Sequence, residues 1–257
     1  LDDLRMAAHL IEKYAVQSPS TTSAHQQTHL RRRIALLLGQ TLLELGLLAE
    51  ARQVLENAYH QAPADVKIAR LYAHLLVTEG ELQGALAPLE TVLQSKPAEI
   101  APYLDYATCL LSLHQQETSD VPLESALLAL EQALVIEPYN AQAATMLGEA
   151  LLACGRAEEA KVAFNRALQT EPSEDPHWCM RLSLGVGQTA LKLGETETAV
   201  AALREASQID PLNVKVQRSL SQAYLQAGLN EDAFQAARAA LLLAPGDIEN
   251  LIWFAEQ

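Results

Sequence analysis

Cations are scarce in this 257-residue chain: 18 lysines and arginines face 32 aspartates and glutamates, a formal net charge of −14. That balance argues against a general nucleic-acid binder and against adhesion to an anionic membrane surface. Aromatic residues are also few, at 5%. The three cysteines, Cys109, Cys154 and Cys179, have neither zinc spacing nor the even number of a disulfide framework, and read as small buried hydrophobes in a reducing compartment. No apolar run nears membrane-spanning length; Ile34 to Leu38 is typical and stops after a few residues, so membrane insertion is not expected of this segment.

Catalytic signatures are missing too. The chain has no phosphate-binding glycine loop, no nucleophile elbow and no helical zinc motif. His25 and His29 can share a helix face, but no third ligand joins them. His177, Trp178 and Cys179 adjoin without an identifiable base, orienting group and oxyanion donor. No enzyme, metal or cofactor is therefore expected. The chain opens at Leu1 with no signal peptide, which reads as a fragment or processed form, and the expected compartment is the cytoplasm.

What the chain does have is a repeat. Gly39, Ala51, Ala58 and Pro63 set a pattern that recurs as Ala73, Ala85, Val92, Pro97 and as Gly148, Ala160, Ala167, Pro172. Gly187, Ala199, Ala206, Pro211 and Ser221, Ala233, Ala240, Pro245 follow, while Ala107, Ala126, Ala133, Pro138 carries an insertion of seven residues. Uninterrupted copies place their prolines 34 residues apart, the period of a helical solenoid whose units bury their faces against neighbours.

Within each unit Ala69, Tyr72, Ala73, Leu76 and then Ala85, Leu86, Leu89, Val92 recur at helical steps. Gly46, Gly80, Gly155, Gly194 and Gly228 sit where a left-handed residue must end the first helix. The prolines end the second helix. Asp65, Asn140, Asn213 and Asp247 are placed to cap the next first helix.

These residues resemble the tetratricopeptide repeat, a 34-residue helix hairpin with small residues at the crossing and a closing proline. The family's early tryptophan is replaced by Ala35, Ala69, Tyr103, Ala144, Ser183 and Gln217, and its later tyrosine survives as Tyr224. The resemblance implies an all-α, right-handed superhelical solenoid of antiparallel hairpins. Its repeats are expected at 32–65, 66–99, 100–140, 141–174, 175–213 and 214–247. Before them, 1–31 reads as a partial repeat, a lone second helix through Ala7, Ile11 and Tyr14, followed by a polar loop at Ser20 to Ser23. After them, 248–257 reads as the start of a seventh repeat. The period breaks at Gln115 to Pro122 and at Ser173 to Cys179; in the second break Asp175 before Pro176 signals a first helix extended by a turn.

In this family the first helices line the concave groove. That surface would carry Arg33, Lys67, Arg70, His74, Arg181, Lys192, Lys215 and Arg218, with the acids Glu44, Asp105, Glu149 and Glu249. Seven of the 18 lysines and arginines fall on about 39 positions, where even scatter gives roughly 3. Arg33, Lys67, Arg181 and Lys215 are expected in first turns, against the helix dipole. The same cations also read as solvated charges paired with capping acids such as Asp65. The two-carboxylate clamp of chaperone-binding relatives is absent, because Gln40, His74, Thr108, Glu149, Gln188 and Gln222 stand at its asparagine places.

The expected function is a non-catalytic scaffold binding a peptide or extended, acidic segment of another protein. Leu36, Leu37, Leu184 and Leu191 would supply its apolar contacts. Trp178 reads first as a plug for the second period break and second as a partner anchor at the groove rim. The alternative is an assembly or regulatory segment of a larger enzyme or of a secretion or envelope component. Self-association through the cut repeat ends is a further expected contact.

Overall fold

Four of the described first helices begin where a short polar side chain, Asp65, Asn140, Asp175 or Asn213, takes up orphan backbone N–H groups. The computed structural model describes Met6 and residues 21–116, 123–170 and 175–245. Among them are twelve α-helices and no strand. They fall in two compact units, residues 1–122 and 123–257. In the first unit are α1 (Thr21–Glu44), α2 (Leu48–Gln61), α3 (Val66–Thr78), α4 (Leu82–Gln94) and α5 (Ala101–Gln115). The second holds α6 (Leu123–Ile136), α7 (Ala141–Ala153), α8 (Ala157–Leu168), α9 (Pro176–Leu193), α10 (Thr196–Ile209), α11 (Val214–Gln226) and α12 (Asn230–Leu243). The chain is an all-α helical repeat in which helices joined by tight turns pack as antiparallel hairpins.

Asp65 accepts from the Lys67 and Ile68 N–H groups, Asn140 from Ala143, and Asn213 from Lys215 and Val216. Asp247 lies outside the described residues. Second helices α2, α4, α8, α10 and α12 lack a side-chain cap, and α8 and α10 instead place Glu158, Glu159 and Glu197 in their first turns, where the dipole favours them. Between the helices of a hairpin, the glycine N–H and the next N–H turn back to carbonyls of the first helix. Gly155 N donates to Leu152 O and Arg156 N to Leu151 O at 2.8 Å. The left-handed φ that this needs, 70–79° at Gly46, Gly80, Gly155, Gly194 and Gly228, strains any residue with a Cβ.

Some boundaries differ from the sequence reading. Helix α1 already runs at Thr21, so Thr21 to Ser23 are helical rather than loop; serines and threonines suit a helix's first turn as well as a turn outside it. The lone second helix through Tyr14, the segment 117–122 and the seventh repeat lie outside the described residues. The pair expected as the third hairpin, α5 and α6, is divided between the two units. At Asp175 the expectation holds: its carboxylate accepts from His177 N, Pro176 opens α9, and that helix has 18 residues where α3, α7 and α11 have 13. Pro88 sits inside α4, which continues through it despite the lost N–H.

The hairpins close on small residues. Ala51, Ala85, Ala160 and Ala199 are fully buried. A Cβ on Gly39 would stand 2.5 Å from Leu55 Cδ2, and one on Gly148 2.6 Å from Phe164 Cζ. The Phe164 ring on α8 also lies against Gly185 of α9, so two successive first helices grip it. With both sides filled, the ring has nowhere to move. Gly148→Ala is therefore expected to cost about 1–3 kcal/mol by overpacking, and adding Phe164→Leu to restore part of that loss, read by chemical denaturation. Unchanged stability in Gly148→Ala would contradict this packing.

Candidate functional site

The first helices of each unit pack on one another in chain order and so share a face: α1, α3 and α5 in one unit, α7, α9 and α11 in the other. In the first unit, Asp65 starts α3 so that Lys67 projects from its first turn beside α1. Arg33 and Leu36 of α1 meet Lys67 there, together with His29 and Arg32, around a groove of about 340 Å³. The acid in its wall is Asp65, whose carboxylate already caps α3. Among the described residues Arg33 and Lys67 form no ion pair and are exposed. Arg33 does not oppose a helix dipole, since α1 starts twelve residues before it. Arg32 joins the groove from within the run Arg31-Arg32-Arg33, the sequence signal that marks it.

Further along this face Arg70 donates to Glu99, with both side chains more than half exposed. His74 is exposed. Asp105 of α5 is half-buried, and burial pushes its carboxyl above the ordinary range even though His74 and Arg70 pull it down. Leu37 stands 51% exposed, while Leu36 packs partly against the core formed by Ala58, Ala62 and Ile68.

In the second unit Arg181 forks onto Glu149 of α7, its Nε 2.9 Å from one carboxylate oxygen, while Nη2 donates to the other. Its guanidinium also lies over the Trp178 ring, 4.2 Å from the centroid. This cation is thus held inside the fold. It sits beyond the first turn of α9, because the added turn at Pro176 moves the dipole end away. Lys192 is exposed in the last turn of α9, where the dipole favours it. Lys215 is exposed in the first turn of α11 and Arg218 is half-buried one turn on. Leu191 is buried with Leu203 and Leu220, which removes it as a partner contact; Leu184 is half-buried against the same cluster.

Trp178 is half-buried. It lines a groove of about 1050 Å³ beside Leu182 and Cys179 of α9, Leu168 at the end of α8 and Tyr139 in the turn before α7. The cysteines are all free: Cys109 is buried and its thiol pushed up to about 12 by desolvation and then by Asp105, while Cys154 and Cys179 are half-buried rather than core residues. Among the described residues no three metal-ligating side chains converge, and no helix is long and apolar enough to cross a membrane.

Family models described as tetratricopeptide repeat match residues 36–100 and 185–248, and residues 123–179. The protein CTR9 homolog of Arabidopsis thaliana is 30% identical over 102 residues, which is 40% of this chain and 9% of that protein. The crystal structure of the APC/C hetero-tetramer Cut9-Hcn1 superposes with a TM-score of 0.63 at 18% identity, over 99% of this chain and 45% of the matched one. YrrB, described as a TPR protein with an unusual peptide-binding site, gives a TM-score of 0.53 at 18% identity, covering 77% of this chain and 95% of its own. The chain thus spans less than half the length of the first two.

Asp105 generates a stability prediction. Because its folded-state pKa is raised, the ionised carboxylate disfavours folding: stability is highest below the ordinary value of 3.8 and falls as pH rises through the folded value. Asp105→Asn is expected to raise the melting temperature at pH 7 and to bring no gain near pH 3. A variant less stable than the parent at pH 7 would mean that attraction to Arg70 and His74 outweighs desolvation.

Proposed function

The chain belongs to the tetratricopeptide repeat family and is a protein-interaction scaffold; on that premise we propose that its first unit holds an acidic, extended segment of a partner protein. The observation that carries this reading is the groove between α1 and α3. His29, Arg32, Arg33 and Lys67 converge there in a chain of net charge −14, and the acid that lines it among the described residues, Asp65, is engaged in capping. Exposed arginine and lysine beside the apolar Leu36 suit a peptide carboxylate next to an aliphatic side chain. Lys215 and Arg218 extend the same preference to the α11 surface of the second unit.

Arg70 and Arg181 are given a supporting part, since each already holds a carboxylate of the chain. The role proposed is binding without catalysis, as is general for repeats of this family. The three free thiols accord with the cytoplasm. A second reading, an assembly or regulatory segment of a larger enzyme or of a secretion or envelope component, is favoured by the 9% of the CTR9 homolog that the match covers and by the hetero-tetramer to which Cut9 belongs.

A fluorescein-labelled decapeptide of alternating leucine and glutamate tests the first reading. It is expected to bind the parent chain and to weaken as ionic strength rises from about 0.05 to 0.5 M. Arg33→Glu with Lys67→Glu should lower its affinity about tenfold or more while the melting temperature stays near that of the parent. Equal affinity in parent and double variant would remove the proposal.

A further inference from the structure

We propose a second docking site of opposite charge preference: the groove lined by Trp178 takes a cationic, apolar segment of a partner protein. The groove lies wholly within the second unit, and at about 1050 Å³ it has room for several side chains. Two large apolar residues on its walls stand open to solvent, Tyr139 at 82% and Leu168 at 56% exposure. Contiguous exposed apolar surface of this kind marks interaction sites.

Its charged lining is Glu137 and Glu205; among the described residues no lysine or arginine lines it. The C-terminal end of α8 at Leu168 adds partial negative charge. The matching end of α6 is covered from α8 by Arg166, which donates to Pro138 O at 2.8 Å and to Leu134 O at 3.4 Å. Trp178 needs no ordering by a ligand. Arg181 lies over one side of its ring and is itself forked onto Glu149, so the indole is fixed before a partner arrives. A cation between two carboxylates with its aliphatic stem on Tyr139 and Trp178 satisfies both characters of the groove.

The test titrates the full chain with a fluorescein-labelled decapeptide of alternating leucine and arginine. Glu137→Lys with Glu205→Lys is expected to weaken binding about tenfold or more, and Trp178→Ala to weaken it comparably. Glu197→Lys with Glu231→Lys, which makes the same charge change at exposed positions elsewhere in the unit, should leave affinity within about twofold of the parent. Should Trp178→Ala fail to fold, the surface pair Glu137→Lys and Glu205→Lys decides alone. No binding to the parent overturns the proposal. So does an equal loss in the two charge-reversal pairs, which would show attraction to net charge rather than to this groove.

Discussion

The contact on which this architecture rests is a large side chain pressed against the backbone of the neighbouring helix. Phe164 does this twice, against Gly148 and Gly185, and Leu55 and Leu203 do it against Gly39 and Gly187. Each of these knobs stands four residues after the buried alanine of its second helix. In the last repeat the knob shrinks to Ala237, and the facing residue grows to Ser221, whose hydroxyl donates to Ala233 O at 2.6 Å and so leaves no orphan in a fully buried position. Close approach at these points sets the spacing of the first helices, and that spacing decides which of their side chains meet.

Electrostatics follow from the same stacking. Arg52 of α2 reaches Glu79 and Glu81 around the next turn, Lys161 of α8 reaches Glu195, Arg70 reaches Glu99 and Arg181 reaches Glu149. The Arg52, Lys161 and Arg181 pairs link one repeat to the next, while Arg70 reaches the end of its own, and the partners stand 27–34 residues apart. They are partly solvated, and pairs of that kind contribute little stability each. Their larger consequence is subtraction. Cations that are crowded in sequence are already answered across the repeat boundary, and the α1–α3 groove stands out because Arg33 and Lys67 are not.

That is also where the reading of the sequence reached its limit. Turn glycines, capping residues, closing prolines and buried crossings obey rules spanning a few residues, and Gly155, Asn140 and Ala160 behave as those rules require. The added turn of α9 was legible for the same reason, from Asp175 and Pro176 alone. What was not legible depends on packing between segments far apart in sequence: the pairing of Arg70 with Glu99, the burial of Leu191 among Leu203 and Leu220, and the placement of Trp178 beside an open groove. Helical periodicity places Leu191 and Leu184 on the same stripe, and only the packing of α9 against α11 separates a core leucine from a half-exposed one.

The second groove shows why breaks in the period matter more than the period itself. A regular repeat buries each hairpin edge against the next, because the same side chains recur at the same spacing. Between Pro172 and Pro211 the spacing is 39 residues rather than 34. The extra turn at the start of α9 carries Trp178 past the register at which other first helices begin, and a cavity remains between that turn, the end of α8 and the turn before α7. Two acids line it, while the cation nearest the tryptophan, Arg181, is turned back to Glu149. The described part of that turn leaves aromatic and carboxylate surface side by side, the combination that the proposed basic, apolar segment would cover.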